Sequence, residues 1–223
     1  MRRHLISLSS TLVALGLLSY ASVASAQNAQ AALAAPPPAD TGNDHDSVVG
    51  HFAVGYFGIQ NLPLAKEGGS GEGTIVAPVI GARYWIMPKL GIDGGIGFIG
   101  SNDGWGFAVH AGVPLALATA HHFTFEVIPE ATIAFAGNSD AGISYSGFLL
   151  EAGARAGAEI QFGFIGIPQL ALQASVGLYL SHDSYGVSTK TTSGSQSTTT
   201  LATSFNGDPW GIFTDNISAL YYF

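Results

Sequence analysis

From Val48 onward the chain alternates apolar and polar residues with a period of two, the pattern of strands with one oily face, and helical periodicity is absent. The clearest stretch is residues 169–180, where Leu170, Leu172, Ala174, Val176, Leu178 and Leu180 oppose Gln169, Gln173, Ser175 and Tyr179. Residues 122–135 set Phe123, Phe125, Val127, Ile133 and Phe135 against His122, Thr124, Glu126, Glu130 and Thr132. In 147–162, Phe148, Leu150, Ile160 and Phe162 oppose Glu151, Arg155, Glu159 and Gln161. Similar alternation runs through 74–86, 90–99 and 106–117, and more weakly through 48–59. A last strand over about 211–223 brings the expected number to eight, each near the 9–11 residues of a tilted membrane strand.

The connectors alternate in length. Residues 87–89, 118–121 and 163–167 are short, whereas 61–73, the tip at 101–103, 136–144 and 182–210 are mostly longer and more polar. The polar face is small (Gly, Ala and Ser with a few charges), as a cramped interior requires, and the bulky face is the apolar one. The pattern predicts an all-β fold: an eight-stranded antiparallel up-and-down transmembrane β-barrel over residues 48–223. Two aromatic girdles are expected: Tyr84, Trp85, Phe123, Phe125, Phe162, Tyr221 and Phe223 near the short turns, and Tyr56, Phe98, Trp105, Phe107, Phe135, Phe148 and Phe213 near the other end.

Composition sharpens this picture. Charged residues are 10% of the chain, against about 25% in soluble domains, too few for the hydrated outside of a soluble sandwich. The first residues carry Arg2 and Arg3, an apolar stretch from Leu12 to Leu18, and Ala24-Ser25-Ala26, which predicts a signal peptide over 1–26 cut after Ala26. No cysteine follows to take a lipid, and none exists to form a disulfide. Residues 27–47, rich in Ala and Pro, are expected to be a flexible periplasmic linker. Beyond the signal the basic residues are Lys66, Arg83, Lys89, Arg155 and Lys190 alone, on a chain of net charge −8, which excludes a nucleic-acid partner.

The signal, the alternating strands, the short turns and the closing "ISALYYF" together resemble the small outer-membrane β-barrel proteins of Gram-negative bacteria, of the outer-membrane protein A and X types, without a periplasmic domain. The resemblance implies residence in the cell outer membrane among its lipids. It also implies that Phe213, Ile217, Ala219, Tyr221 and Phe223 present an assembly signal to the barrel assembly machinery.

The charged residues fall on the inward face. Arg83, Asp93, His110, His122, Glu126, Glu130, Glu151, Arg155 and Glu159 are the expected lumen polar network, with His51 on the same side. A three-residue loop at 87–89 would set Arg83 opposite Asp93. On the next hairpin, one register sets Glu126 against Arg155, His122 against Glu159 and Glu130 against Glu151. Buried charges persist only when paired or hydrated, so this set either plugs the barrel as a salt-bridge network or lines a narrow cation-leaning pore. The first reading gives a structural or surface-interaction protein. A lipid-modifying enzyme is a third, weaker reading resting on "SHDSYG" at 181–186, whose Ser, His and Asp are sequence neighbours, unlike the members of a triad.

No catalytic residue, cofactor or metal ligand is assigned. "GIGFIG" at 95–100 matches a dinucleotide fingerprint but lacks the helix that must follow it, and "NDHDS" at 43–47 lacks rigid ligand geometry. Residues 188–204, rich in Ser and Thr, suit a surface loop or a strand extended above the membrane, and 182–210 is the region available to a surface ligand.

Overall fold

A computed structural model describes residues 42–65, 72–102, 104–204 and 217–223. The expected signal peptide, the linker up to residue 41 and Phe213 lie outside the described residues. A five-residue helix, α1 (Asp44–Val48), precedes ten strand segments: β1 (Phe52–Ala65), β2 (Glu72–Met87), β3 (Leu90–Ser101), β4 (Gly104–Gly112), β5 (Leu115–Ala120), β6 (Phe123–Asp140), β7 (Ile143–Phe162), β8 (Ile167–Ser188), β9 (Ser193–Thr203) and β10 (Ile217–Tyr222).

All pairings are antiparallel, and the sheet closes on itself where β10 joins β1 to β8. Two wall positions are shared, so the ten segments make a ring of eight. The expected strand over 106–117 is interrupted at Val113-Pro114, because proline has no N–H for the ladder. The break stays in line because Val113 N–H donates to Pro129 O at 2.9 Å and Gly91 N–H donates to Pro114 O at 2.8 Å. Likewise β8 pairs β9 along its upper half, from Leu178 to Ser188, and β10 along its lower half, from Leu170 to Ala174.

The bulky face looks outward. Ile80, Ile96, Phe98, Trp105, Phe123, Phe125, Phe135, Leu172, Leu178, Tyr221 and Phe223 are exposed on the wall, with Phe98 and Phe223 both 68% exposed. Arg83, Glu126, Glu159, Gln161 and Gln173 are wholly or almost wholly buried inside. Among the described residues no helix is long and apolar enough to cross a bilayer. The strands themselves satisfy the backbone groups that lipid would leave unpaired, as a closed sheet does.

Several expectations need correction. Residues 136–144 are not a loop: β6 runs to Asp140 and β7 starts at Ile143, joined by Ala141 (φ 47°) and Gly142 (φ 82°). That left-handed two-residue turn matches strand twist and fixes the register. Glu126 therefore faces Gly157, Glu130 faces Gly153, and Glu159 faces Thr124, one pleat away from the expected pairing. Much of 61–73 and 182–210 is also strand, so the wall rises beyond its apolar belt.

Trp85 is not a girdle residue. It lies two positions from Arg83, shares its inward face and is fully buried.

β1 departs most from a simple wall strand. Between Tyr56 and Ile59 its pairing with β2 is shifted by a bulge, and Gly58 holds φ 96°, a conformation open to glycine. Above this bend Leu62, Pro63, Leu64 and Ala65 are all buried. The Pro63 carbonyl lies against Gly147 of β7, where any Cβ would collide with it. Leu62 and Leu64 pack with Ala134, Ala136, Tyr145 and Leu149 in an apolar cluster inside the upper lumen. Removing each leucine from lumen water contributes about 1.5–3 kcal/mol. Among the described residues, β1 pairs with β10 over Ala53–Tyr56.

Candidate functional site

Arg83 reaches across the lumen from β2. β2 and β3 place it directly opposite Asp93, and its Nε and Nη2 donate to Asp93 Oδ1 and Oδ2, both at 2.8 Å. Nη2 also donates to Gln173 Oε1 at 3.0 Å, and Nη1 to Glu159 Oε2 at 2.7 Å and Glu126 Oε1 at 3.3 Å. A guanidinium has five N–H donors in a planar fork, and all are engaged. The partners come from β3, β6, β7 and β8, so one side chain ties opposite walls together. It is completely buried, as are the carboxylates of Asp93, Glu126 and Glu159.

A second group adjoins it. Arg155 Nε donates to Glu130 Oε2 at 2.7 Å, and its Nη2 stands 3.9 Å from Asp93. Tyr179 donates to Glu130 Oε1 at 2.8 Å. His110 shares a hydrogen bond with Thr132 at 3.1 Å and lies 3.6 Å from Glu130. Glu151 is half-buried higher up, opposite Thr132 and Ser181. These groups line a cavity of about 370 Å³ above the Arg83 layer.

The layer continues downward. Tyr222 donates to Glu159 at 3.2 Å and accepts from Trp85 Nε1–H at 3.1 Å. The Trp85 and His45 rings meet in a T-shaped contact at a centroid distance of 4.5 Å. His45 belongs to α1, so the last residues of the expected linker are ordered at the short-turn end of the barrel. Asn43 caps the helix through its side chain, accepting from His45 N–H at 3.2 Å. His45 Nε2 is 2.8 Å from Pro88 O, and Asp44 meets His122 Nδ1 at 2.7 Å and Gly163 N–H at 3.0 Å. Three turns thus grip the helix. Burial lowers the His45 pKa from its ordinary value, partly offset by the Pro88 carbonyl and Asp46, because an imidazolium there would lose its hydration.

Of the nine residues expected in the lumen network, eight face the lumen. His122 does not reach Glu159. It sits at the short-turn mouth on Asp44, because Thr124 occupies the position opposite Glu159. His51 is exposed, with Nδ1 on the carbonyl oxygen of Phe223. Of the residues expected to form an assembly signal, Ile217, Ala219 and Tyr221 lie on the outward parity of β10, and Phe223 follows it. Ser181 and Asp183 face inward and bond to each other, while His182 lies on the opposite face with Thr199, so the three cannot assemble.

Sequence reasoning missed Gln173, Tyr179, Trp85 and Tyr222. Inward parity was the available signal for all four, and a buried Tyr hydroxyl or Trp N–H needs a partner.

No family model matches the chain, and no curated protein matches it. Among solved structures it is similar to Pseudomonas aeruginosa OccK7 (OpdD), with 10% identity and a TM-score of 0.22, over 78% of this chain and 65% of that one. It is also similar to Pseudomonas aeruginosa OpdQ, with 9% identity and a TM-score of 0.21, over 74% of this chain and 62% of that one. The chain spans less than two thirds of either protein, and a likeness at these scores carries no functional weight.

Proposed function

We propose that this is an integral outer-membrane barrel with a closed lumen and a structural or surface-interaction role, not an open channel. The single observation behind this reading is Arg83: fully buried, with every N–H engaged by groups from four strands. To open a passage, several charge-assisted hydrogen bonds would have to break inside a dry interior.

The bulky outward face with its aromatic rims supports residence in a bilayer. The export signal read at residues 1–26 supports the outer membrane as the destination. The outward aromatic residues of β10 and Phe223 suit presentation to the barrel assembly machinery. The β8–β9 hairpin, exposed along all of β9, is the part that would meet a surface ligand.

Planar-bilayer recording of the purified full chain tests the reading. Silence is expected, and steady cation-selective steps would defeat it in favour of a narrow pore.

A further inference from the structure

Among the described residues the upper wall has a seam. There β9 pairs with β8 along one edge and with no strand along the other, and β1 over Ile59–Ala65 pairs with β2 alone. Both unpaired edges border the cavity above the Arg83 layer: the consecutive residues Ile59, Gln60 and Asn61 line it from β1, and Thr200, Ala202 and Thr203 from β9.

Ser204 N–H donates to Gly177 O at 3.0 Å, which fixes the parity of the β8–β9 ladder. Even-numbered residues of β9 turn their backbone groups to β8, while Ser193, Ser195, Ser197, Thr199, Leu201 and Thr203 turn theirs away. Native sheets guard such an edge with charge, proline or a bulge. β9 has none of these: it holds no charged side chain and no proline, its register with β8 is unbroken, and every residue in it is exposed.

The chemistry of the edge selects its occupant. Leu201 and Thr203 stand beside the lipid-facing Leu180 and Leu178, and an acyl chain offers their backbone groups no donor or acceptor. A second copy in the same bilayer keeps the same orientation, so a two-fold pair would set β9 against β9 with N–H opposite N–H. A strand from another chain satisfies donors and acceptors alike, as in strand addition. Its inward side chains would lie next to Thr198 and Thr200, one strand from Asp183 and two from Glu151. Among the described residues neither carboxylate forms a salt bridge, so the inner side of the added strand favours Lys or Arg. We infer that the free edge of β9 binds an extended segment of another protein, with basic residues at alternate positions, as a further strand of the wall. The inference rests on the surface-interaction role proposed above and gives it a ligand class.

Fluorescence anisotropy of a labelled, end-blocked peptide alternating Lys and Thr, titrated with the refolded full chain in detergent, tests this. Saturable binding is expected, with the peptide alternating Glu and Thr roughly tenfold weaker. Ser197→Pro removes a donor from the free edge and none from the β8 ladder, and should weaken the Lys peptide roughly tenfold. Thr199→Pro should do the same, while Ser197→Ala should change nothing. Heat-dependent migration on gels shows that each variant is folded. Absence of saturable binding, equal binding of the acidic peptide, or indifference to both proline variants would each overturn the inference. So would a dimer of the parent in detergent that Ser197→Pro disperses, since the edge would then belong to a second copy. Bilayer conductance reports on the closed floor separately, so the two readings fail independently.

Discussion

Arg83 and Asp93 meet two atoms to two, Nε on Oδ1 and Nη2 on Oδ2, each at 2.8 Å, across neighbouring strands inside the barrel. This fork is the hinge of the floor, because the same guanidinium then reaches Glu126 and Glu159 on the far wall.

Replacing Arg83 by Met keeps the volume and removes the charge, leaving three buried carboxylates facing one another. The expected cost is about 3–5 kcal/mol, the usual result of removing one partner of a buried ionic cluster. Urea unfolding in detergent measures it. Bilayer recording of the same variant should show conductance that the parent lacks.

The upper lumen is filled by β1 only because Gly147 leaves room for the Pro63 carbonyl. Gly147→Val should expel this segment. The chain has no cysteine, so a single Leu62→Cys reports cleanly. It should resist maleimide in the parent and react in the Gly147→Val background.

Docking of α1 should depend on pH through His45. Burial lowers the imidazole pKa in the docked state, so the undocked state binds the proton more readily. Docking is therefore at full strength above the ordinary value of 6.5 and weakens as pH falls below it, through the lowered docked value. Asp46 on the helix, Arg83 above and the Asp44–His122 pair beside it are the charges that face this step. Trp85 emission, with Trp105 and Trp210 replaced by Phe, should change on acidification in the parent and stay flat in His45→Gln.

Phe223 gives a sharper test of the assembly signal than deletion of the strand. Its ring is 68% exposed, and its backbone N–H donates to Phe52 O at 2.9 Å. Phe223→Ala keeps that hydrogen bond and loses no buried packing. Refolding in detergent should be unchanged, while the amount recovered in the cellular outer membrane should fall severalfold.

The alternation of residues is enough to read the wall, because lipid outside and a narrow lumen inside impose one rule on every strand. The Arg83–Asp93 register is legible for a subtler reason. The turn at Pro88-Lys89 is one residue shorter than a three-residue loop, and an irregularity between Trp85 and Met87 restores the missing position. The Glu126 register is not legible, because Ala141-Gly142 makes a tight turn inside what reads as a polar loop. The inward course of Leu62 and Leu64 is also hidden. Their burial comes from a bend at Gly58 and a gap at Gly147, two glycines nearly ninety positions apart.

Among the described residues, Ala53–Tyr56 join one side of β10 to β1, and Ile217–Tyr221 join its other side to β8. Those strands come from opposite ends of the described chain, so loop-closure entropy makes their meeting a late event, after the local hairpins have formed. The same event swings Tyr222 onto Glu159 and sets Trp85 beneath it. Fastening the clasp and sealing the vessel are thus one act, and a molecule that misses the clasp leaks from the start.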